Sequence, residues 1–182
     1  MSTTPARIWL LTGPPGIGKS TLVAKVIFSV RSRGHGVGGC LTKEVRKGKE
    51  RVGFRLTDLL SGNEVELASV DGLGPRVGRY RVNITNLSTM GAGSLFRAAE
   101  VADFIVIDEV GPMELTSPEF RKGVKACLAT RKPMLIVLHE SMKDPLMTEI
   151  SGQPKSTLVE LTLHNREQVS GQIPAEIALS LG

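Results

Sequence analysis

Short apolar segments alternating with amphipathic helical stretches predict an α/β fold built on a mainly parallel sheet. Three observations carry this expectation. Residues 8–12, 104–107 and 134–138 are apolar runs of strand length, the kind buried on both faces of a parallel sheet. The stretches between them place apolar residues at helical spacing. Residues 43–70 instead alternate charged and apolar positions around glycine turns, as a small antiparallel insertion on the main sheet would. With 182 residues, the chain is expected to form one domain over residues 1–182, large enough to bury about 70% of its unfolded surface.

The first strand, residues 8–12, runs into Gly13-Pro14-Pro15-Gly16-Ile17-Gly18-Lys19-Ser20-Thr21. A chain that turns on glycines between a buried strand and a helix start aims backbone N–H groups at one point, where the helix dipole also favours an anion. The pattern reads as a phosphate cradle, a Walker A loop. Lys19 can reach the outer phosphates and the Ser20 hydroxyl can ligate Mg²⁺. An ordinary strand-to-helix loop accounts for the glycines but not for the Lys-Ser-Thr that opens the helix. That helix carries Leu22, Val23, Val26, Ile27 and Val30 on one face and stops at Gly34.

Residues 37–42 read as a second short strand, followed by a hairpin over 44–56 and alternating residues at 64–70. Residues 72–80 hold too many glycines and arginines for a regular element and are expected to be a functional loop. Arg76, Arg79 and Arg81 recur there, either as a source of positive charge for developing phosphate charge or as a solvated basic loop. A short strand at 80–84 and a helix over 87–102 come next.

Phe104-Ile105-Val106-Ile107-Asp108-Glu109-Val110-Gly111 is a buried strand ending in two carboxylates, a Walker B pattern. In a P-loop protein this strand is expected beside the cradle strand. Asp108 would then hold the Mg²⁺ shell and Glu109 would take a proton from attacking water. Solvation of a strand end explains the pair alone, but far less well with the cradle in the same chain. Ser117-Pro118-Glu119 opens a helix reaching 130. Strand 134–138 ends at His139, on the edge where open α/β sheets bind ligands, so His139 is a candidate sensor of the γ-phosphate or water. A short helix at 143–150, interrupted by Pro145, precedes a last strand at 158–163. Asn165 and Arg166, candidate contacts to the base, open a terminal helix that Pro174 is expected to kink or divide.

Composition narrows the classes. Hydrophobic residues make up 41% and charged residues 23%, which suits a soluble globular chain. A net charge of +5 fits either a nucleic-acid binder or a pocket for a polyanionic nucleotide. The two cysteines, Cys40 and Cys127, form no CxxC pair, so neither a disulfide framework nor a zinc site is indicated. The polar N-terminal stretch and the early Gly13-Pro14-Pro15 break argue against a signal peptide or membrane span, and a cytoplasmic location is expected.

Several segments together resemble one family. They are residues 13–20, Gly38 through Arg46, Arg51-Val52-Gly53-Phe54, Gly74-Pro75-Arg76-Val77-Gly78-Arg79-Tyr80, Val106 through Leu115, and Asn165-Arg166. In order and across nearly the whole chain, they are similar to the nucleoside-triphosphatase family of cancer-related and thermophile enzymes. The resemblance implies a RecA-like or kinase-like P-loop fold, a three-layer sandwich. It also implies Mg²⁺-dependent hydrolysis of ATP, GTP, CTP and UTP to the diphosphate and phosphate. The implied nucleotide site is the cradle plus the strand end at 104–111.

Two other readings fit the sequence. A nucleotide or polynucleotide kinase shares the cradle but needs an acceptor pocket and a lid, for which residues 72–80 are the candidate. A nucleotide-gated switch would use the positive charge on nucleic acid, but Trp9 and Tyr80 are the only Trp and Tyr, so stacking platforms are scarce and nucleic acid is not indicated. A monomer is the expected state.

Overall fold

A computed structural model describes residues 7–182. The polar stretch anticipated at the N-terminus falls, apart from Arg7, outside the described residues. The strands are β1 (Ile8–Thr12), β2 (Val37–Lys47), β3 (Glu50–Asp58), β4 (Glu64–Ser69), β5 (Arg76–Val77), β6 (Tyr80–Val82), β7 (Phe104–Val110), β8 (Met134–Leu138) and β9 (Ser156–Glu160). They form one sheet in the order β5-β6-β4-β3-β2-β7-β8-β1-β9. The pairs from β2 through β9 are parallel, and those from β2 to β5 antiparallel.

The helices are α1 (Lys19–Arg31), α2 (Ile84–Asn86), α3 (Ala92–Val101), α4 (Pro118–Ala129), α5 (Pro145–Ser151) and α6 (Arg166–Ser180). A strand sends alternate side chains to opposite faces, and the two cores follow that rule. Ile8, Leu10, Ile105, Ile107 and Ile136 pack against Leu95 of α3 and Phe120 and Val124 of α4. Their neighbours Trp9, Leu11, Phe104, Val106 and Val137 pack against Leu22, Val26 and Val30 of α1 and Ile177 of α6. The result is the expected three-layer α/β sandwich.

Several elements differ from their sequence-based limits. Residues 37–47 form one strand, not a short strand followed by a separate hairpin arm. Val37 to Leu41 pair with β7 in parallel and Cys40 to Lys47 pair with β3 antiparallel, so β2 is the hinge line between the two parts of the sheet. Gly39 makes this possible: its φ is +109°, and a Cβ there would sit 1.9 Å from the Val106 carbonyl oxygen. The antiparallel part continues past residue 70 to β6. Residues 72–80 are correspondingly not an irregular loop, since Arg76–Val77 and Tyr80–Val82 pair as a small hairpin turning at Gly78.

The helix before β7 starts earlier than residue 87. It runs from Ile84, where Asn83 accepts from the Asn86 N–H, through a π-helical turn at Leu87–Gly91 into α3. Pro145 occupies the first turn of α5 rather than interrupting it, with Asp144 capping the Leu146 N–H. The last strand ends at Glu160, and α6 continues through Pro174 without division. Most consequential for the site, β7 is not beside β1. The wholly buried β8 lies between them, because its five apolar residues need neighbours on both sides and both faces.

Candidate active site

The cradle's geometry follows from its glycines. Gly13, Gly16 and Gly18 have φ of 144°, 76° and 118°, a region L-residues with a Cβ avoid. A Cβ on Gly13 would also lie 2.6 Å from the Leu161 carbonyl oxygen. The loop therefore wraps tightly between β1 and α1. At the start of α1 no side chain caps the first turn and no acidic residue stands there. The first N–H groups of α1 therefore have no side-chain acceptor, the arrangement in which a helix start can take an anion. Lys19 folds over the loop, its Nζ donating to the carbonyls of Gly13 at 2.5 Å and Pro14 at 3.1 Å.

A cavity of about 480 Å³ opens in front of this loop. Gly13, Pro15, Gly16, Lys19 and Ser20 form one side, and Asp108, Glu109 and Glu114 another; His139, Glu140 and Ser141 lie at the exit of β8. Successive strand residues normally point to opposite faces. Asp108 and Glu109 nonetheless both line the cavity, at a bulge where β7 carries one extra residue against β8 between Ile107 and Val110. Because β8 separates β7 from β1, His139 emerges between the cradle and the carboxylates. Its backbone N–H donates to the Val110 carbonyl at 3.2 Å, and its buried Nδ1 has no partner among the described residues.

Low polarity around the carboxyls governs their protonation. Burial first, then the Glu109 charge, pushes Asp108 up to about 7, against the pull of Lys19. Burial raises Glu109 as well, opposed by His139 and Lys19. Glu114 is the residue the sequence reading passed over. It is only 3% exposed, and burial, followed by Glu109, pushes it up to about 8, although its own N–H and that of Gly111 help the charged form. The signal was available: an acid between Met113 and Leu115, just after the Gly111-Pro112 turn, is an isolated charge in an apolar segment.

The other expected site residues are distributed as follows. Phe104, Ile105, Val106 and Ile107 are fully buried in the two cores, so this part of β7 reaches the cavity only through its two carboxylates; Val110 is buried too, and Gly111 packs between the Glu109 and Glu114 carboxyls. Ile17, Gly18 and Thr21 border a second depression that also touches Lys25 and Arg166. Asn165 uses its amide inside the turn, accepting from the Thr162 N–H and donating to the Glu160 carbonyl, both at 2.8 Å. Arg76 is exposed on β5, and Arg79 donates to Glu50 at 2.6 Å and to the Arg51 carbonyl at 3.0 Å. Neither lines the cavity. The arginine that does is Arg51, in β3.

Among the described residues no three His, Cys, Asp or Glu side chains cluster as an all-protein metal cage. The donors that face the cavity, one buried carboxylate in Asp108 and the Ser20 hydroxyl, are hard oxygens. They suit Mg²⁺, which keeps several waters and takes few protein ligands beside substrate phosphates. No helix of the described residues is long and apolar enough to cross a membrane.

Comparison with known proteins agrees with this geometry. Residues 8–174 match the NTPase family model. Over 175 residues the chain is 45% identical to a protein named nucleoside-triphosphatase THEP1 from Thermofilum pendens, covering 95% of this chain and 96% of that one. The THEP1 of Methanopyrus kandleri is 39% identical, over 90% of this chain and 91% of its own. Among solved structures, a human cancer-related nucleoside triphosphatase superposes with a TM-score of 0.80 at 34% identity, over 96% of this chain and 99% of that one. THEP1 from Aquifex aeolicus does so with the same TM-score at 31% identity, over 93% and 98%. The chain belongs to the NTPase family, whose P-loop fold it shares with the nucleoside-triphosphatases named THEP1.

Proposed function

We propose that this chain, acting as a monomer, hydrolyses nucleoside triphosphates, with ATP, GTP, CTP and UTP as substrates, to the diphosphate and phosphate. The observation that carries the reading is convergence: Lys19, Ser20, Asp108 and Glu109 all face one cavity at the end of the parallel strands. The uncapped start of α1 and the N–H groups of Gly16, Gly18, Lys19 and Ser20 bind the phosphates, and Lys19 neutralises the outer ones. Ser20 and Asp108 would hold Mg²⁺, which when bound draws charge from the β- and γ-phosphate oxygens. Glu109 orients a water for in-line attack and takes its proton. Burial raises the Glu109 carboxyl, which makes it a stronger base than an exposed glutamate. His139 lines the same cavity and is the candidate to meet the γ-phosphate or that water.

Base-tolerant hydrolysis is what contacts made mainly to phosphates would give. Phosphate release by the purified protein, followed for each triphosphate with Mg²⁺ and with a chelator, tests the proposal. The expected result is release with all four nucleotides that stops on chelation and in Lys19→Ala. Turnover of Lys19→Ala at the wild-type rate would refute the cradle assignment.

A further inference from the structure

Positive charge around the cavity is scarce. Lys19 and Arg51 are the only lysine and arginine among the described residues that line it, while Asp108 and Glu109 stand where the outer phosphate comes to lie. A triphosphate brings negative charge up to those carboxylates, and one ammonium offsets only part of it. Arg51 is the cation to which the hydrolytic scheme has given no task.

Strand order places Arg51 on the side of the outer phosphate. From the cradle the sheet runs β1, β8, β7, β2, β3, so the carboxylates of β7 stand between the cradle and Arg51 of β3. Thr42 and Glu44 of β2 line the stretch between them, and Thr42 follows Leu41, the strand partner of Asp108. With neighbouring strands about 4.8 Å apart, β3 lies about 10 Å from β7, a gap that an arginine and a phosphoryl group can close together. A separate depression between α1 and α6, lined by Thr21, Lys25 and Arg166, gives the sugar and base room away from β2 and β3.

The protein itself holds the arginine side chain in place. Nη1 donates to Glu44 at 2.7 Å and Nε to the Tyr80 hydroxyl at 2.9 Å. The guanidinium also lies over two rings, 5.1 Å from the Phe54 centroid and 5.7 Å from that of Tyr80. Both N–H groups of Nη2 and the second of Nη1 are left without an acceptor among the described residues. Glu44 does not cancel the charge, because its other oxygen accepts from Arg46 at 2.9 and 2.6 Å. Two guanidiniums therefore share one carboxylate. A fixed arginine with a free planar fork is suited to phosphoryl oxygens.

We propose that Arg51 is a catalytic residue of the hydrolysis, its free N–H groups donating to the non-bridging oxygens of the γ-phosphoryl group as that group passes to water. The role rests on the hydrolase reading. In the step, the water oxygen bonds to the γ-phosphorus, the bond from that phosphorus to the bridging oxygen of the diphosphate breaks, and the water proton passes to Glu109. Lys19 meets the developing charge from the cradle and Arg51 from the opposite side. Glu44 and Tyr80 are positioning residues, since they hold the guanidinium.

The test compares Arg51→Ala, Arg51→Lys and Arg46→Ala with the wild type. Three quantities are measured: phosphate release at saturating ATP and Mg²⁺, binding of a non-hydrolysable ATP analogue, and binding of ADP with aluminium fluoride, a mimic of the phosphoryl group in transit. Arg51→Ala should lower kcat at least about 100-fold and weaken the aluminium fluoride complex by a similar factor, with the ATP analogue bound as in the wild type. Arg51→Lys keeps the charge and the apolar stem but not the fork, and should fall between the two. Arg46→Ala removes the other guanidinium on Glu44, outside the cavity lining, and should match the wild type. A wild-type kcat in Arg51→Ala, or in Arg51→Lys should the alanine variant not fold, would overturn the role and leave the hydrolase reading intact. Equal losses of affinity for the ATP analogue and for the aluminium fluoride complex would overturn it too, by showing a part in binding alone. No phosphate release from the wild type would overturn the hydrolase reading and this role with it.

Discussion

Replacing Glu109 by Gln isolates the proposed base from everything else in the cavity. The change conserves shape, so it opens no void beside Gly111, where the Glu109 and Glu114 carboxyls border the space a Cβ would take. It also removes one negative charge from a buried site that already holds Asp108 and Glu114. Triphosphate affinity should therefore hold or increase, because the phosphates meet one fewer carboxylate. The rate should not hold: a positioned base contributes roughly 10² to 10⁴-fold, or about 3 to 5 kcal/mol of barrier. Phosphate release at saturating ATP and Mg²⁺ gives kcat, and equilibrium titration with a labelled non-hydrolysable analogue gives Kd. A kcat at least about 100-fold down with Kd unchanged or lower is the expected pair. A wild-type kcat would refute the role of Glu109 and turn attention to His139, the next candidate around the same space.

Three other substitutions probe neighbouring features of the molecule. Lys19→Ala deletes the ammonium that closes over Gly13 and Pro14, and should abolish most triphosphate binding in the same titration. Gly39→Ala would drive a Cβ to 1.9 Å from the Val106 carbonyl oxygen at a φ of +109°; unfolding in urea should show a loss of at least about 3 kcal/mol, or no folded protein at all. Burial and the neighbouring Glu109 charge push Glu114 up to about 8, against about 4.3 in an unfolded chain. Between those values the folded state holds a proton that the unfolded state lacks, so this contribution is complete below about pH 4 and is lost as pH rises through about 8. Urea titrations at about pH 5.5 and about pH 8.5 should show the wild type losing stability on the order of a few kcal/mol more than Glu114→Gln, which stays neutral throughout; parallel losses in the two proteins would contradict the raised Glu114.

The parts of the site that can be read along the chain are those whose chemistry is local. Residues 13–21 announce a cradle because a tight turn needs its glycines and the helix start needs its Lys-Ser-Thr within a few bonds of one another. Asp108 and Glu109 stand out because charge is rare at the end of a buried apolar run. Arg51, Phe54, Tyr80 and Thr42 carry no such local mark, because they meet only when β2, β3 and β6 pair. Arg76 and Arg79 show the converse: they cluster in sequence, yet one lies exposed on β5 and the other is drawn to Glu50.

The amino-acid order of this protein suffices for the alternation of strands and helices, for the cradle and for the carboxylate pair, since each depends on periodicity or turn chemistry within about ten residues. The insertion of β8 between β7 and β1, the single long β2 shared by both parts of the sheet and the burial that raises Asp108 and Glu114 belong to the assembled molecule alone. Strand neighbours are set by which apolar faces can be covered together, and a carboxyl's protonation by how much water the packed chain leaves around it; neither is a property of any one segment.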